Sequence, residues 1–233
     1  MTLTFAVATS TVKALTRILC RVDGAQLARV PERGPLIIYG NHVNFLEGPL
    51  LYTHLQPRPI SGFVKAETWD NPLLGRLADL WQAIPLRRGE FDLTALRQAL
   101  GVLEAGHILG VAPEGTRSGD GRLLRGNSGI VLLALRSGAP LLPLASYGSE
   151  RFWQNLPRLR RTDFYAVVGQ PFSLDPAGQK VTRQRRREMT DEIMYQLAAL
   201  LPPEYRGVYA DLAAASESYL RFAPGARSNL LRA

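Results

Sequence analysis

Two clusters of residues have the types and the spacing needed for chemistry. The larger is the segment Pro-Glu-Gly-Thr-Arg-Ser at positions 113–118, which directly follows the apolar run 108–112. Gly115 permits a tight turn and a close approach of the backbone to a ligand. Arg117 can donate two parallel hydrogen bonds to a phosphate. A turn that combines a carboxylate, a hydroxyl and a guanidinium after a strand therefore predicts a site for an anionic group.

The smaller cluster is Asn41-His42 followed by Glu47. His42 comes after the apolar run 36–39, which predicts a strand-to-helix junction, where α/β sheets bind ligands. Residues five apart do not share a helix face, so contact with Glu47 requires His42 to lie on the turn before the helix. His42 would then accept the proton of a substrate hydroxyl while Glu47 orients the imidazole, although a histidine near an acid is more often structural. Together the two clusters indicate group transfer on a phosphorylated substrate.

The surrounding sequence alternates short apolar runs with helical stretches. This pattern predicts an α/β fold with a largely parallel central sheet flanked by helices. The predicted strands cover residues 36–39, 60–64, 83–86, 108–112, 141–145 and 164–168. The predicted helices cover residues 45–55, 72–80, 91–105, 129–136, 182–201 and 212–222. Asn71 before Pro72 is typical of a helix start.

An N-terminal amphipathic helix is predicted within residues 1–22. Its apolar residues recur at steps of three and four: Phe5, Ala8, Val12, Leu15, Leu19 and Val22. Lys13, Arg17 and Arg21 fall off this stripe. Two interpretations stay open: a helix packed on the core, which is the commoner arrangement, or an interfacial helix with its apolar side in lipid.

Length and composition indicate one globular domain over residues 1–233, with a motif-bearing core at 34–145 and a loose tail at 224–233. Hydrophobic residues make up 46% and charged residues 21%, an ordinary globular balance. The single cysteine, Cys20, excludes an intrachain disulfide and a cysteine-rich metal site. The sequence has neither the ~20 apolar residues of a membrane span nor a secretory signal, so we expect a cytoplasmic protein, peripheral on the membrane.

The net charge of +8 favours an anionic partner. Nucleic acid, an acidic lipid surface and a phosphorylated small molecule all fit, and so does a merely solvated basic surface. No zinc-finger or ribonucleoprotein motif supports nucleic acid, so we expect none to bind. The arginine run at 183–187 is either a solvated face or an anionic-membrane contact, and Phe152-Trp153 is either core or a membrane wedge.

The two clusters resemble motifs of the glycerolipid acyltransferase family, in particular its lysophosphatidic acid acyltransferases. The first family motif is Asn-His, four residues, then Asp, and here it reads Asn41-His42 and Glu47. The third motif, Pro-Glu-Gly-Thr-Arg-Ser, is matched in full at 113–118. The order and spacing of the motifs agree from about residue 34 to 145.

Two further family blocks lie around these motifs. The second block, a Lys-x-Glu and then a strand ending in Arg-Gly, resembles residues 65–67 and 84–89, with Arg88 in the matching place. The fourth block, a small residue followed by Pro-apolar-apolar-Pro, is matched at 139–143.

The resemblance implies transfer of a fatty acyl group from a thioester, acyl-CoA or acyl carrier protein, to the hydroxyl of a lysophospholipid. The first candidate acceptor is lysophosphatidic acid, which would give phosphatidic acid. The implied catalytic pair is His42, as general base, and Glu47. The implied phosphate-binding residues are Lys65, Arg88 and Arg117, and those shaping the acceptor site are Glu114, Gly115 and Thr116. No metal or bound cofactor is expected.

Glu47 stands where the family usually has aspartate, and it adds one methylene. Either the backbone recedes and the histidine is still oriented, or the dyad is loosened, with a lower rate or a changed acceptor. Other acceptors therefore stay open: glycerol-3-phosphate, another lysophospholipid or a lyso-aminolipid. A weakly catalytic lipid-binding protein of the same fold is the remaining alternative.

Overall fold

The computed structural model describes residues 3–87 and 92–232. Its strands are β1 (Cys20–Asp23), β2 (Leu36–Tyr39), β3 (Ile60–Lys65), β4 (Ile84–Leu86), β5 (Ile108–Val111), β6 (Leu141–Tyr147), β7 (Thr162–Val168), β8 (Phe172–Leu174) and β9 (Leu220–Phe222). Its α-helices are α1 (Leu3–Leu19), α2 (Glu47–His54), α3 (Pro72–Leu80), α4 (Leu93–Glu104), α5 (Gly129–Ser137), α6 (Phe152–Asn155) and α7 (Arg183–Ala198).

The strands form one largely parallel sheet, which confirms the predicted α/β class. The strand order is β1-β7-β6-β2-β5-β3-β4, with β8 added to β6 and β9 to β8. Strand β2 pairs in parallel with β5 and β6, and β3 pairs in parallel with β4 and β5. Strand β7 runs antiparallel to β6. The carboxyl ends of β2 to β6 therefore meet at one edge, called here the site edge.

Both faces of the sheet are covered, which is why β2 reads as a continuous apolar run. Ile37 and Tyr39 join the core cluster built with α4, α5 and α7. Leu36 and Ile38 point to the opposite face and join the cluster built with α1 and α2. The period of two along the strand thus divides the core into two layers.

Helix α1 ends at Leu19, earlier than the predicted 22, because residues 20–23 pair with β7 as an edge strand. Its inner side packs on the core through Phe5, Val12 and Leu19. Its outer side is also apolar, with these exposed fractions: Leu3 82%, Val7 57%, Leu15 53% and Ile18 67%. Leu15 therefore lies on the outer side and not in the packed stripe. One side of α1 packs on the core, and the other side is exposed.

The predicted helix at 212–222 is wrong. Residues 212–214 form a short 3-10 turn, and residues 220–222 form β9. The buried carboxylate of Glu192 accepts hydrogen bonds from the backbone N–H groups of Ser218 (2.7 Å) and Tyr219 (3.0 Å). These bonds hold the chain in a non-helical path before β9.

The segment 224–233, expected to be loose, is attached to the core as far as it is described. Asn229 is completely buried, and its backbone N–H donates to Oε1 of Gln196 at 3.0 Å. Its side-chain Oδ1 accepts from the N–H of Gln170 at 2.6 Å. The sequence pattern of apolar residues did not predict this attachment, because polar side chains make it.

Candidate active site

His42 and Glu47 form a dyad at the site edge, at the carboxyl end of β2. The Nδ1 atom of His42 lies 3.1 Å from Oε2 of Glu47, and the two side chains are 21% and 8% exposed. Glu47 is the first residue of α2, so His42 lies on the turn before the helix. A carboxylate at Nδ1 favours the tautomer whose proton is on Nδ1, which leaves Nε2 free to accept a proton.

The turn between His42 and Glu47 is shaped by its own polar groups. The backbone N–H of Asn44 donates to Oε2 of Glu47 at 3.0 Å. The Oδ1 atom of Asn44 accepts from the N–H of Leu46 at 2.8 Å, and its Nδ2 donates to the carbonyl of Ser149 at 2.7 Å. Glu47 is therefore fixed by the turn that it terminates.

Ser149 completes the support of the dyad, and the sequence did not single it out. Its Oγ donates to Oε1 of Glu47 at 2.9 Å, and the residue is fully buried. Gly148 has φ +93°, and a Cβ there would lie 2.3 Å from the carbonyl oxygen of Asp163. Only glycine fits this turn, which brings Ser149 back onto the dyad after β6. The available sequence signal was the Gly-Ser pair at 148–149, which lies shortly after the predicted strand 141–145.

Glu114 points into the protein and holds the histidine turn. Its Oε1 accepts from the backbone N–H of His42 at 2.8 Å, and its Oε2 from the N–H of Leu124 at 2.9 Å. Burial raises the pKa of Glu114, and these two N–H groups oppose that rise. The carboxylate thus fixes backbone position on both sides of the site.

Replacing Glu114 with glutamine should destabilise the protein by about 1–3 kcal/mol, since one N–H donor would face an amide NH₂ and lose its acceptor. Acyl transfer should fall with it, because the backbone on one side of the site, at His42 or at Leu124, loses the bond to residue 114. Urea denaturation measures the first effect. The matched control is Glu104→Gln on the exposed side of α4. Equal midpoints for the two variants would contradict this role.

The rest of the segment 113–118 is also attached to the histidine turn. The N–H of Ser118 donates to the carbonyl of His42 at 2.8 Å, and the N–H of Gly119 to that of Val43 at 3.2 Å. Gly115 has φ +69°, and a Cβ there would lie 2.8 Å from Nδ2 of Asn127. The glycine in the motif is therefore needed for both conformation and space.

A cavity of about 440 Å³ lies between α4 and α5 and opens at the site edge. Its volume is typical of a small-ligand pocket. His42 and Gly115 lie in its wall, and so do the cationic side chains Lys65 and Arg87. Most of the remaining wall is apolar: Phe63, Val64, Leu86, Ala95, Leu96, Val111, Ala112, Pro113, Ile130, Leu132 and Leu133. The cavity thus combines a base, two cations, the carboxylate of Asp92 and an apolar interior.

The structure brings some of the other candidate residues to this cavity and leaves others outside. Lys65 and Gly115 line it. Thr116 and Arg117 are exposed on the motif turn. Arg88 lies outside the described residues, and its neighbour Arg87 is the one in the described wall.

A comparison with protein families shows to which family the chain is related. A family model described as Acyltransferase matches residues 21–147, more than half of the chain. The chain belongs to the Acyltransferase family. The matched region contains the dyad, the motif turn and strands β2 to β6.

Individual members of the Acyltransferase family resemble the chain over different lengths. The 1-acyl-sn-glycerol-3-phosphate acyltransferase of Limnanthes alba is 34% identical over 121 residues, which are 51% of this chain. The chain spans only 43% of that plant protein's length. The 1-acyl-sn-glycerol-3-phosphate acyltransferase of Bacillus subtilis is 23% identical over 175 residues, which cover 73% of this chain and 83% of the relative.

A solved structure shares the fold. It is the crystal structure of PlsC, a 1-acyl-sn-glycerophosphate (LPA) acyltransferase from Thermotoga maritima. The TM-score is 0.60 at 23% sequence identity, with 81% of this chain and 76% of that chain covered. This similarity supports the α/β architecture described above.

Proposed function

We propose that this member of the Acyltransferase family transfers a fatty acyl group from an acyl thioester to the hydroxyl of a lysophospholipid, with lysophosphatidic acid as the first candidate acceptor. The observation that carries the proposal is the position of His42. Its Nδ1 contacts the carboxylate of Glu47, and His42 lies in the wall of the cavity. The relatives named 1-acyl-sn-glycerol-3-phosphate acyltransferases support the choice of acceptor.

In this mechanism His42 acts first as a base and then as an acid. Nε2 accepts the proton of the acceptor hydroxyl while the hydroxyl oxygen attacks the thioester carbonyl carbon. The tetrahedral intermediate collapses, the carbon–sulfur bond breaks, and the imidazolium returns the proton to the leaving thiolate. Glu47 stabilises the imidazolium throughout, and Ser149 and Asn44 hold Glu47 in place.

The walls of the cavity suit the two ends of such substrates. Apolar side chains between α4 and α5 would hold an acyl chain. Lys65 and Arg87 would neutralise a phosphate, together with Arg117 from the motif turn and Arg88 by family resemblance. Glu114, Gly115 and Thr116 would shape the acceptor site through the turn they form. The reaction then needs no metal or bound cofactor.

Lipid substrates place the reaction at a bilayer, and α1 offers a contact with it. No helix in residues 3–87 or 92–232 has the length and apolarity to cross a membrane. The outer side of α1 is apolar, with Lys13 and Arg17 beside it, an arrangement suited to an anionic interface. We therefore propose a peripheral protein, and a position on the inner face of the cell membrane remains part of this proposal.

The direct test is thiol release from a long-chain acyl-CoA in detergent micelles, with and without lysophosphatidic acid. Acceptor-dependent release is the expected result. If acyl-CoA gives none, the same assay is run with acyl carrier protein as donor, and with glycerol-3-phosphate, other lysophospholipids and lyso-aminolipids as acceptors. Vesicle binding without acceptor-dependent release from any of these pairs would contradict acyl transfer and favour a lipid-binding protein.

Filling the cavity should shorten the preferred acyl chain. Ala95 on α4 is buried and lines the cavity, so Ala95→Leu removes space for an acyl chain without touching the dyad. We expect the ratio of kcat/KM for palmitoyl to decanoyl donors to fall by about tenfold or more. Thr94→Leu, exposed on the same helix, is the matched control. An unchanged ratio in Ala95→Leu would place the acyl chain elsewhere.

A further inference from the structure

Most of the chain between β6 and β7 is a basic segment that has no acidic residue. This segment, residues 151–161, is called here the arginine loop. It contains four arginines, at positions 151, 158, 160 and 161, and no aspartate or glutamate. Of the acids that flank it, Glu150 lies 3.8 Å from Nε of Arg151 and accepts from the hydroxyl of Tyr205 at 2.8 Å, and Asp163 lies 3.5 Å from Arg21. The loop therefore keeps a net positive charge through Arg158, Arg160 and Arg161.

The same loop exposes large apolar side chains. Trp153 is 62% exposed, Leu156 36% and Leu159 94%. Leu159 also has φ +52°, a left-handed conformation that glycine or asparagine adopts more readily. A leucine here is unfavourable both for the backbone and for the exposed side chain. Folding alone does not explain it.

The arginine loop is connected directly to the dyad. The ring of Phe45, which lies between His42 and Glu47 in sequence, is 5.6 Å from that of Trp153 and 5.3 Å from that of Phe152. Phe152 is only 3% exposed, so it belongs to the core, whereas Trp153 faces outwards. Any surface that holds Trp153 thus also lies against the histidine turn.

The loop is also continuous with α1. The Nη2 atom of Arg161 donates to the carbonyls of Arg17 and Cys20, both at 2.6 Å. Phe152 packs in the same core layer as α1 and α2. Strand β7 runs antiparallel to β6, and β1 runs parallel to β7, so the arginine loop and the C-terminal end of α1 both lie at the site edge. Leu159 and Arg160 line a cleft there with Tyr147 and Tyr205, on the face of the sheet opposite α1.

We propose that the arginine loop is a second membrane contact, which inserts Trp153 and Leu159 into an anionic bilayer and places Arg158 and Arg160 on lipid phosphates. Tryptophan favours the membrane interface, and basic residues bind anionic leaflets. A loop of aromatic, leucine and arginine residues without acids fits that chemistry better than it fits an aqueous surface. This contact would open the dyad onto the bilayer, and that role rests on the proposed acyl transfer.

The test is co-sedimentation with vesicles of phosphatidylglycerol or of phosphatidylcholine. The wild type should bind phosphatidylglycerol more tightly, and the double variant Arg158→Glu, Arg160→Glu should weaken that binding by about tenfold or more. Leu159→Asn should weaken it several-fold, and asparagine suits the left-handed conformation, so the fold is kept. The matched control is Leu231→Asn, since Leu231 is 73% exposed and lies by Asn229, at the edge opposite the site edge.

Fluorescence provides a second readout that does not depend on activity. Trp153 emission should shift to shorter wavelength on phosphatidylglycerol vesicles and be quenched by brominated lipid, and Trp153→Phe should abolish both changes. Wild-type binding in the loop variants would overturn the proposal. So would vesicle binding that is unchanged while binding to acyl carrier protein is lost, because the loop would then serve a protein partner.

Acyl transfer is measured in parallel with short-chain, water-soluble substrates in the absence of vesicles. The variants at Arg158, Leu159 and Arg160 should keep wild-type rates there, because none of these three residues lines the cavity or contacts the dyad. If the wild type transfers no acyl group but its vesicle binding still depends on Leu159 and Arg160, the proposed function fails and the membrane contact stands. If transfer occurs and the vesicle binding is insensitive to the loop, only the membrane contact fails.

Discussion

Replacement of His42 by alanine should lower acceptor-dependent thiol release by about 10²–10⁴-fold, the usual range for loss of a general base. The expected loss lies mainly in kcat, because His42 is the wall residue whose free nitrogen can take the hydroxyl proton. The fold should survive, since the histidine ring is at the surface of the cavity and the backbone contacts of residue 42 to Glu114 and Ser118 are kept.

The control for this experiment is another histidine. His107 precedes β5, at the edge opposite the site edge, so His107→Ala should leave turnover unchanged. Thermal unfolding of both variants checks that the protein is folded. Turnover at the wild-type level in His42→Ala would show that another group accepts the proton.

Replacement of Glu47 by glutamine should lower kcat by up to about 10⁴-fold, the loss seen when the carboxylate of a catalytic triad becomes an amide. The side chain keeps its size but no longer stabilises the imidazolium. Two donors hold this side chain, the N–H of Asn44 and the hydroxyl of Ser149, and both need acceptors. If the amide NH₂ of the glutamine faces Nδ1 of His42, one of these two donors is left unpaired. A proton on Nε2 would then block the base.

Ser149→Ala tests the same arrangement through the residue behind Glu47. We expect a fall in kcat with little change in KM, because the acceptor site is untouched while the carboxylate loses its Oε1 partner. Ser146→Ala, which removes another buried hydroxyl on β6, is the matched control. An equal effect of both serine variants, or an active Glu47→Gln enzyme, would show that the dyad does not depend on this carboxylate.

Local sequence determined most of the elements that carry the site. Alternation of apolar runs and helical stretches predicted the parallel sheet, and the Asn71-Pro72 pair marked the start of α3 correctly, with Oδ1 of Asn71 capping Leu73 and Leu74. The two polar clusters lie together because the carboxyl ends of the parallel strands β2 and β5 meet at one edge. These features follow from periodicity and from residues close in sequence.

Tertiary structure decided what each polar side chain does. The motif residue Glu114, which the sequence suggested as part of the acceptor site, binds two backbone N–H groups inside the protein. Ser149 reaches Glu47 across 102 positions. Neither contact leaves a local pattern, because a hydrogen bond between distant segments depends on strand order and on single turns such as the one at Gly148.

The two sides of α1 show the same limit. The sequence predicted one amphipathic helix and left open whether its apolar residues face the core or a membrane. The structure has apolar residues on both sides, because α2 covers only the side of Phe5, Val12 and Leu19 and leaves Leu3 and Ile18 exposed. Hydropathy determines that a residue avoids water, and only the packing of neighbouring elements decides which of these residues remain at the surface.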